Sequence, residues 1–452
     1  MAFSADDTRS SGLRQPFRSL ESPEFRPWFF AQVFSASGTM TQGVAMSWLV
    51  LRLTGNGVDL GLMTACTFLP LLVFGPYAGT LVDRFDRRRL LIVTQTLLLL
   101  LAALAATLIA TGLIKLWMLF VIAALTGCVS APDGTARQVY VIDLVGTGRL
   151  ASAVSLYEVV LNISRVVGPA VGGVLLATVG VGACCALNAA SYLQPLFVLL
   201  RHRPHHAGPG PAAPRPRKAP PGQLRAGLRY AWRNRPIRVC LSLAAASGLL
   251  FNLSVQLPLL ATRVFHLGGG GYGLMMAVFG IGALPGALLA SAGSGRPTGR
   301  SVGVLALATA AAVFCTAAAP ALWLVMTGLA ATGCLSIWFI AQANTLVQLA
   351  ADPSMRGRVM GLWTMALPGT EPATSPFAGY MSQTFGARDG FSLSGVALLL
   401  TATIGWRALT DRPAASREAL ASGEPHAAGE ALAAAAPAET AALAEPTLAD
   451  TA

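Results

Sequence analysis

The chain has 452 residues, 54% of them hydrophobic and only 12% charged, with a mean hydropathy of +0.60. A soluble globular protein carries roughly 25% charged residues, so water is excluded as the solvent for most of this chain. The net charge of +12 would suit nucleic acid, but the basic residues sit in short breaks between apolar stretches, which makes them membrane loops.

A hydrocarbon core about 30 Å thick is crossed by about 20 apolar residues in a helix. Twelve such segments are predicted, at 28–52, 59–82, 90–112, 116–136, 152–176 and 181–200, then 237–262, 272–293, 301–319, 322–347, 358–381 and 390–408. The expected class is an all-α integral membrane protein with twelve transmembrane helices in two pseudo-symmetric six-helix bundles. The corresponding divisions are an N-terminal segment (1–27), a first bundle (28–201), a Pro/Arg-rich linker (202–236), a second bundle (237–408) and a tail (409–452). The N-terminal segment, with Asp6, Asp7, Glu21 and Glu24, lacks a signal peptide's apolar core, so the first helix is its own insertion signal.

Pro204, Pro209, Pro211, Pro214, Pro216, Pro220 and Pro221 forbid a continuous helix through the linker, which is expected to end in a short amphipathic helix around Leu224 to Trp232. The Ala/Glu/Pro-rich tail lacks an apolar face long enough to pack and is expected to be disordered. With the N-terminus inside, roughly 27 of the Lys and Arg residues fall on the cytoplasmic side. The exceptions are Arg52, Lys115, Arg263 and Arg388 near the other face and Arg165 within a helix. Both termini and the linker are therefore predicted to be cytoplasmic and the protein to lie in the cell membrane. The seven cysteines all fall in apolar segments without a CxxC pair, and His202, His205 and His206 lie in the linker, so no metal site is expected.

A shift of 207 positions aligns Gly75, Gly79 and Leu81 with Gly282, Gly286 and Leu288. Without a gap it also aligns Ala136 and Arg149 with Ala343 and Arg356, and Pro169 and Gly172 with Pro376 and Gly379. Two repeats of six helices share one orientation, and substrate is expected between them near the midplane.

The loop after the second segment reads Gly79-Thr-Leu-Val-Asp83-Arg84-Phe-Asp86-Arg87-Arg88-Arg89. It resembles the loop signature of the major facilitator superfamily, G-x-L-a-D-r-x-G-r-[RK], with Asp86 in the place of a glycine. That variant is similar to the branch of enterobactin exporters and macrolide and drug efflux proteins. The resemblance implies a conformational latch of Gly79, Asp83, Arg84, Arg87 and Arg88 at the cytoplasmic helix ends. A plain positive-inside anchor would explain the arginines but not Gly79 or Asp83. The second half keeps only fragments, with Ala290 and Ser291 at the positions of Asp83 and Arg84.

The fifth segment carries Arg165-Val-Val-Gly168-Pro169-Ala-Val-Gly172-Gly173, which resembles the family's antiporter motif G-x8-G-x3-G-P-x2-G-G. Ser155 and Ser164 stand in its two upstream glycine positions. In the family this motif accompanies export by substrate/proton exchange, which favours efflux over uptake.

An ionisable group inside the bilayer is costly enough that it faces a partner or a cavity. Glu158, Asn162 and Arg165 follow i, i+4, i+7 and share one stripe. Either Glu158 carries a proton beside Arg165, or the two form a permanent salt bridge. Glu371, between Pro368 and Pro372 in the eleventh segment, is either a proton or cationic-substrate site or a hydrated group in a broken helix. Asp133, four residues before Arg137, reads as part of the loop charge cluster ahead of a proton carrier. Ser35, Thr39 and Gln42, Asn252 and Gln256, and Gln342 and Asn344 are cavity candidates, though interhelical hydrogen bonding accounts for them equally well.

No P-loop, HExxH or supported GxSxG pattern is found, so enzyme chemistry is not expected. The sequence points to a secondary active transporter without a cofactor, using the proton gradient to expel a small amphiphilic molecule. Its expected partners are that molecule, protons and the lipid bilayer; nucleic acid is not among them, and a monomer is expected. A proton-linked importer and a membrane sensor or scaffold are the alternatives.

Overall fold

The computed structural model describes residues 19–146, 150–201, 223–292, 297–352, 355–366 and 369–410. The first half contains α1 (Phe25–Thr54), α2 (Gly57–Arg84), α3 (Arg87–Ala110), α4 (Leu116–Val145), α5 (Leu150–Thr178) and α6 (Val181–Arg201). The linker contributes α7 (Gln223–Arg233), and the second half α8 (Arg235–Phe251), α9 (Leu253–Arg263), α10 (Gly269–Ala292), α11 (Gly299–Ala318) and α12 (Leu322–Ala350). It ends with α13 (Arg356–Ala366), α14 (Glu371–Thr384) and α15 (Ala387–Thr410). The pairs α8–α9 and α13–α14 are each one span interrupted near its middle, so the chain crosses twelve times. Ten stretches of the described residues are long and apolar enough for a membrane. The other two spans are the polar-striped α1 and the interrupted α13–α14.

Local chemistry sets several boundaries. Asn56 accepts the Val58 N–H at 2.9 Å and starts α2, while Gly55 closes α1 in the left-handed region at φ 63°. Asp86, which departs from the superfamily's loop pattern, caps α3 by accepting the Arg89 N–H at 2.8 Å. The linker helix appears where the sequence predicts it, at Gln223–Arg233; linker residues 202–222 and the tail beyond Thr410 lie outside the described residues.

The halves meet along two helix pairs, α5 with α10 and α2 with α14. Both depend on glycine at the contact. A Cβ on Gly173 would lie 2.9 Å from the Gly273 Cα, and one on Gly57 would lie 2.7 Å from the Gly379 carbonyl oxygen. Either would force the backbones apart. Trp48 of α1 also stacks on Tyr272 of α10, ring centroids 6.5 Å apart.

All of these contacts lie towards the end of the molecule remote from the arginine-rich α2–α3 loop. At the arginine-rich end Gly75 and Gly79 have open space where a Cβ would be, and Asp83 and Arg84 are exposed. The halves are thus closed at one face and parted at the other. The 207-residue repeat is unequal in use: Gly282 and Gly286 lie against the Ala330 and Cys334 backbone of α12, within their own half, whereas a Cβ on Gly75 or Gly79 would meet open space.

Candidate functional site

The loop charges act within the first half. Arg87 pairs with Asp143 of α4 at 2.6 Å, and Arg88 donates to the Leu199 and Leu200 carbonyls at the end of α6, at 2.7 and 3.2 Å. A cation there meets carbonyls that a helix terminus leaves unpaired. Among the described residues Asp83 forms no ion pair with the second half.

Asp133 does not join that loop cluster. Segment 4 continues as helix to Val145, beyond the predicted end at 136, so Asp133 lies three turns inside α4 and is buried. It forms an ion pair with Arg137 and accepts hydrogen bonds from Thr94 Oγ1 at 2.7 Å and Gln95 Nε2 at 2.8 Å, both on α3. Arg137 reaches α1, donating to Gln32 Oε1 at 2.9 Å. The result is a polar centre joining three helices of the first half. Thr94, Gln95 and Gln32 were not singled out in the sequence; the polar run Thr94-Gln95-Thr96 and the single Gln32 in apolar spans were their one signal.

The small residues of α5 divide between two interfaces. Ser164, Gly168 and Gly172 face α1: Ser37 donates to Ser164 Oγ at 3.3 Å, Thr41 donates to the Gly168 carbonyl at 2.8 Å, and a Cβ on Gly172 would touch Thr41. Gly173 faces α10. Pro169 has no N–H for the Arg165 carbonyl four residues back, and Gly280 of α10 lies against that oxygen. Ser155 lies on α5 with its side chain outside the described residues.

Glu158, Asn162 and Arg165 continue the face on which Pro169 and Gly173 meet α10. The salt bridge considered for Glu158 and Arg165 is not formed. Arg165 donates instead to Asn162 Oδ1 at 3.4 Å, and Asn162 donates to the Glu158 carbonyl at 2.9 Å. Glu158 and Arg165 are exposed, although the Arg165 backbone itself packs against Gly280 of α10.

Ser35, Thr39 and Gln42 do not act as one lining. Thr39 shares a hydrogen bond with Tyr192 at 3.1 Å, Gln42 accepts from Asn188 at 2.6 Å, and Ser35 is buried without a partner for its hydroxyl among the described residues. These are largely ties between α1 and α6.

The second half is organised by its two interruptions. Asn252 and Gln256 were expected to share a helix face, but the helix breaks at Asn252, whose backbone turns to φ −71°, ψ 37°. Their side chains take up the carbonyls this releases: Asn252 donates to the Gly248 oxygen at 2.7 Å and Gln256 to the Leu249 oxygen at 3.3 Å. Backbone can be irregular at membrane depth only where protein satisfies it, and α9 buries eight of its eleven residues. Asn252 also donates to Thr374 Oγ1 at 3.0 Å and accepts from Ser375, so the break in one span is fastened to the start of α14. Gln256 reaches the Gly390 carbonyl of α15 at 3.2 Å.

Glu371 is the first residue of α14, one turn before Thr374, and is only 9% exposed. Among the described residues its carboxyl has no hydrogen bond or ion pair. Gln342 is partly buried, and its Oε1 has no partner among the described residues. Asn344 accepts from Gln348 at 3.0 Å on an exposed face of α12, so these two candidates point to different sides.

At the closed face Arg263 donates to the Gly55 carbonyl at 2.8 Å and to Gln383 Oε1 at 2.6 Å, and Gln383 accepts the Gly57 N–H at 3.0 Å. This clasp between the halves was not anticipated; Arg263 counted only as an exception to the charge bias.

Comparison with known proteins fits this architecture. The family model described as transmembrane secretion effector matches residues 14–434. The multidrug efflux pump Tap of Mycobacterium tuberculosis H37Rv is 29% identical over 389 residues, covering 84% of this chain and 91% of that protein. The enterobactin exporter EntS of Citrobacter koseri is 29% identical over 355 residues, covering 76% and 81%. Among solved structures, a bacterial homolog of the human lysosomal transporter Spinster, in an inward-facing unoccupied conformation, superposes with a TM-score of 0.68 at 14% identity, over 85% of this chain and 97% of that one. The D-xylose-proton symporter gives 0.63 at 14% identity, over 85% and 98%. Two six-helix halves closed at one face, and a family match spanning nearly the whole sequence, identify a multi-pass transporter: this chain belongs to the transmembrane secretion effector family of the major facilitator superfamily.

Proposed function

We propose that the protein is a proton-coupled exporter of a small amphiphilic compound, working by alternating access in the cell membrane with both termini cytoplasmic. The observation that carries this reading is Glu371, a buried carboxyl at the junction of an interrupted span, without a partner among the described residues. An ionisable group inside a span without a partner suits a site that takes up and releases a proton as its surroundings change.

Efflux is supported by the antiporter-like run at Gly168-Pro169 and by the relatives' names, a multidrug efflux pump and a siderophore exporter. The Lys/Arg bias puts the parted face in the cytoplasm, which makes this conformation the loading state. The test is accumulation of dyes and antibiotics in cells expressing the protein, with and without a protonophore. Export that collapses with the protonophore in the native protein and is absent in Glu371→Gln is expected. Export indifferent to the proton gradient would overturn the coupling.

A further inference from the structure

The linker helix α7 has one covered side and one bare side. Ala231 is buried, a Cβ on Gly227 would lie 3.1 Å from the Arg358 Cβ of α13, and Tyr230 Oη accepts the Asp352 N–H at 3.1 Å. This side is docked on the second half. The neighbouring stripe carries Leu228 and Trp232 at i, i+4, 49% and 64% exposed. Arg229 and Arg233 follow on the outer side, both exposed. Arg238 donates to the Trp232 carbonyl at 3.0 Å with its guanidinium carbon 6.0 Å from the indole centroid.

Only Asn234 separates α7 from the apolar span that begins at Arg235, so the bare stripe sits at headgroup depth. An exposed Leu and Trp bordered by arginines match a helix lying in a bilayer surface. A tryptophan with one apolar side and one polar edge suits the same depth. A second copy of the same stripe would bring arginine against arginine.

We propose that α7 is a docking surface for the anionic phospholipid headgroup layer, with Leu228 and Trp232 entering the acyl boundary and Arg229 and Arg233 meeting the lipid phosphates. Because α7 is fastened to α13, lipid charge would act directly on the interrupted span whose second part begins at Glu371.

The experiment uses the full chain in nanodiscs of phosphatidylcholine, with or without phosphatidylglycerol, and follows hydrogen exchange of the α7 amides. Anionic lipid should slow exchange by tenfold or more, at on the order of fivefold per arginine, and added salt should reverse the slowing. An Arg229→Gln/Arg233→Gln variant should lose the lipid dependence while keeping its exchange rate in neutral discs, which separates lost docking from lost folding. Arg229→Lys/Arg233→Lys should retain it, since a headgroup layer responds to charge. Equal exchange in both lipids, protection that survives the glutamine substitutions, or protection appearing only with two copies per disc would overturn the proposal.

Discussion

Gln383 of the second half accepts the backbone N–H of Gly57 of the first half at 3.0 Å, with Arg263 donating to the same oxygen at 2.6 Å. One side-chain carbonyl therefore joins the halves at the closed face and is itself held by a cation. Each charge-assisted bond is worth about 1.5–3 kcal/mol, enough to bias a two-state equilibrium. An Arg263→Ala/Gln383→Ala double variant should populate a form open at this face about tenfold more. Distances between spin labels placed on α2 and α14 at that face would report it; an unchanged distribution would remove the clasp from gating.

The α5–α10 contact makes a second prediction. Gly173 has no room for a side chain, whereas Gly79 faces open space. Gly173→Val should therefore destabilise the protein by about 1–3 kcal/mol through overpacking, while Gly79→Ala should leave thermal unfolding in detergent nearly unchanged. Equal effects of the two substitutions would contradict the arrangement of the interface.

Asp133 and Arg137 form a buried pair, and removal of one partner strands the other. Asp133→Ala should cost about 3–5 kcal/mol, read as loss of folded protein in size-exclusion chromatography. Asp133→Asn/Arg137→Gln, which removes both charges, should recover much of that loss. If the double variant is no better than Asp133→Ala, charge pairing is not what the centre supplies.

At the interruption of α8–α9, Asn252→Leu leaves the Gly248 carbonyl and Ser375 hydroxyl without their partner. A cost of about 1–3 kcal/mol follows for the unpaired groups. Exchange of the amides in α9 and early α14 should rise together, since Asn252 fastens one to the other. A rise in α9 alone would show that the tie to α14 carries little.

Much of the architecture was legible because the bilayer imposes a simple length and polarity requirement. Twelve segments, the linker helix and the orientation of the repeats all follow from apolar run lengths and the 207-residue shift. The interruptions were harder to place. Pro368 and Pro372 marked one of them, but the break at Asn252 falls on a residue that elsewhere fits a helix, and only the ties to Gly248, Leu249 and Thr374 explain it. For Asp133 the error was one of length. α4 continues nine residues past its predicted end, because the polar run Asp133-Gly-Thr-Ala-Arg137 is satisfied by α1 and α3 and need not leave the helix.

By itself, the sequence determined the solvent, the number of crossings and the transporter superfamily, since hydropathy, charge placement and the loop motif are local properties of the chain. Tertiary structure decided which polar residues are ties within a half and which are not, leaving Thr39, Gln42 and Asp133 paired and Glu371 without a partner among the described residues. It also decided which face is closed. Those outcomes depend on distances between residues hundreds of positions apart, such as Gly57 and Gln383, and no local pattern encodes them.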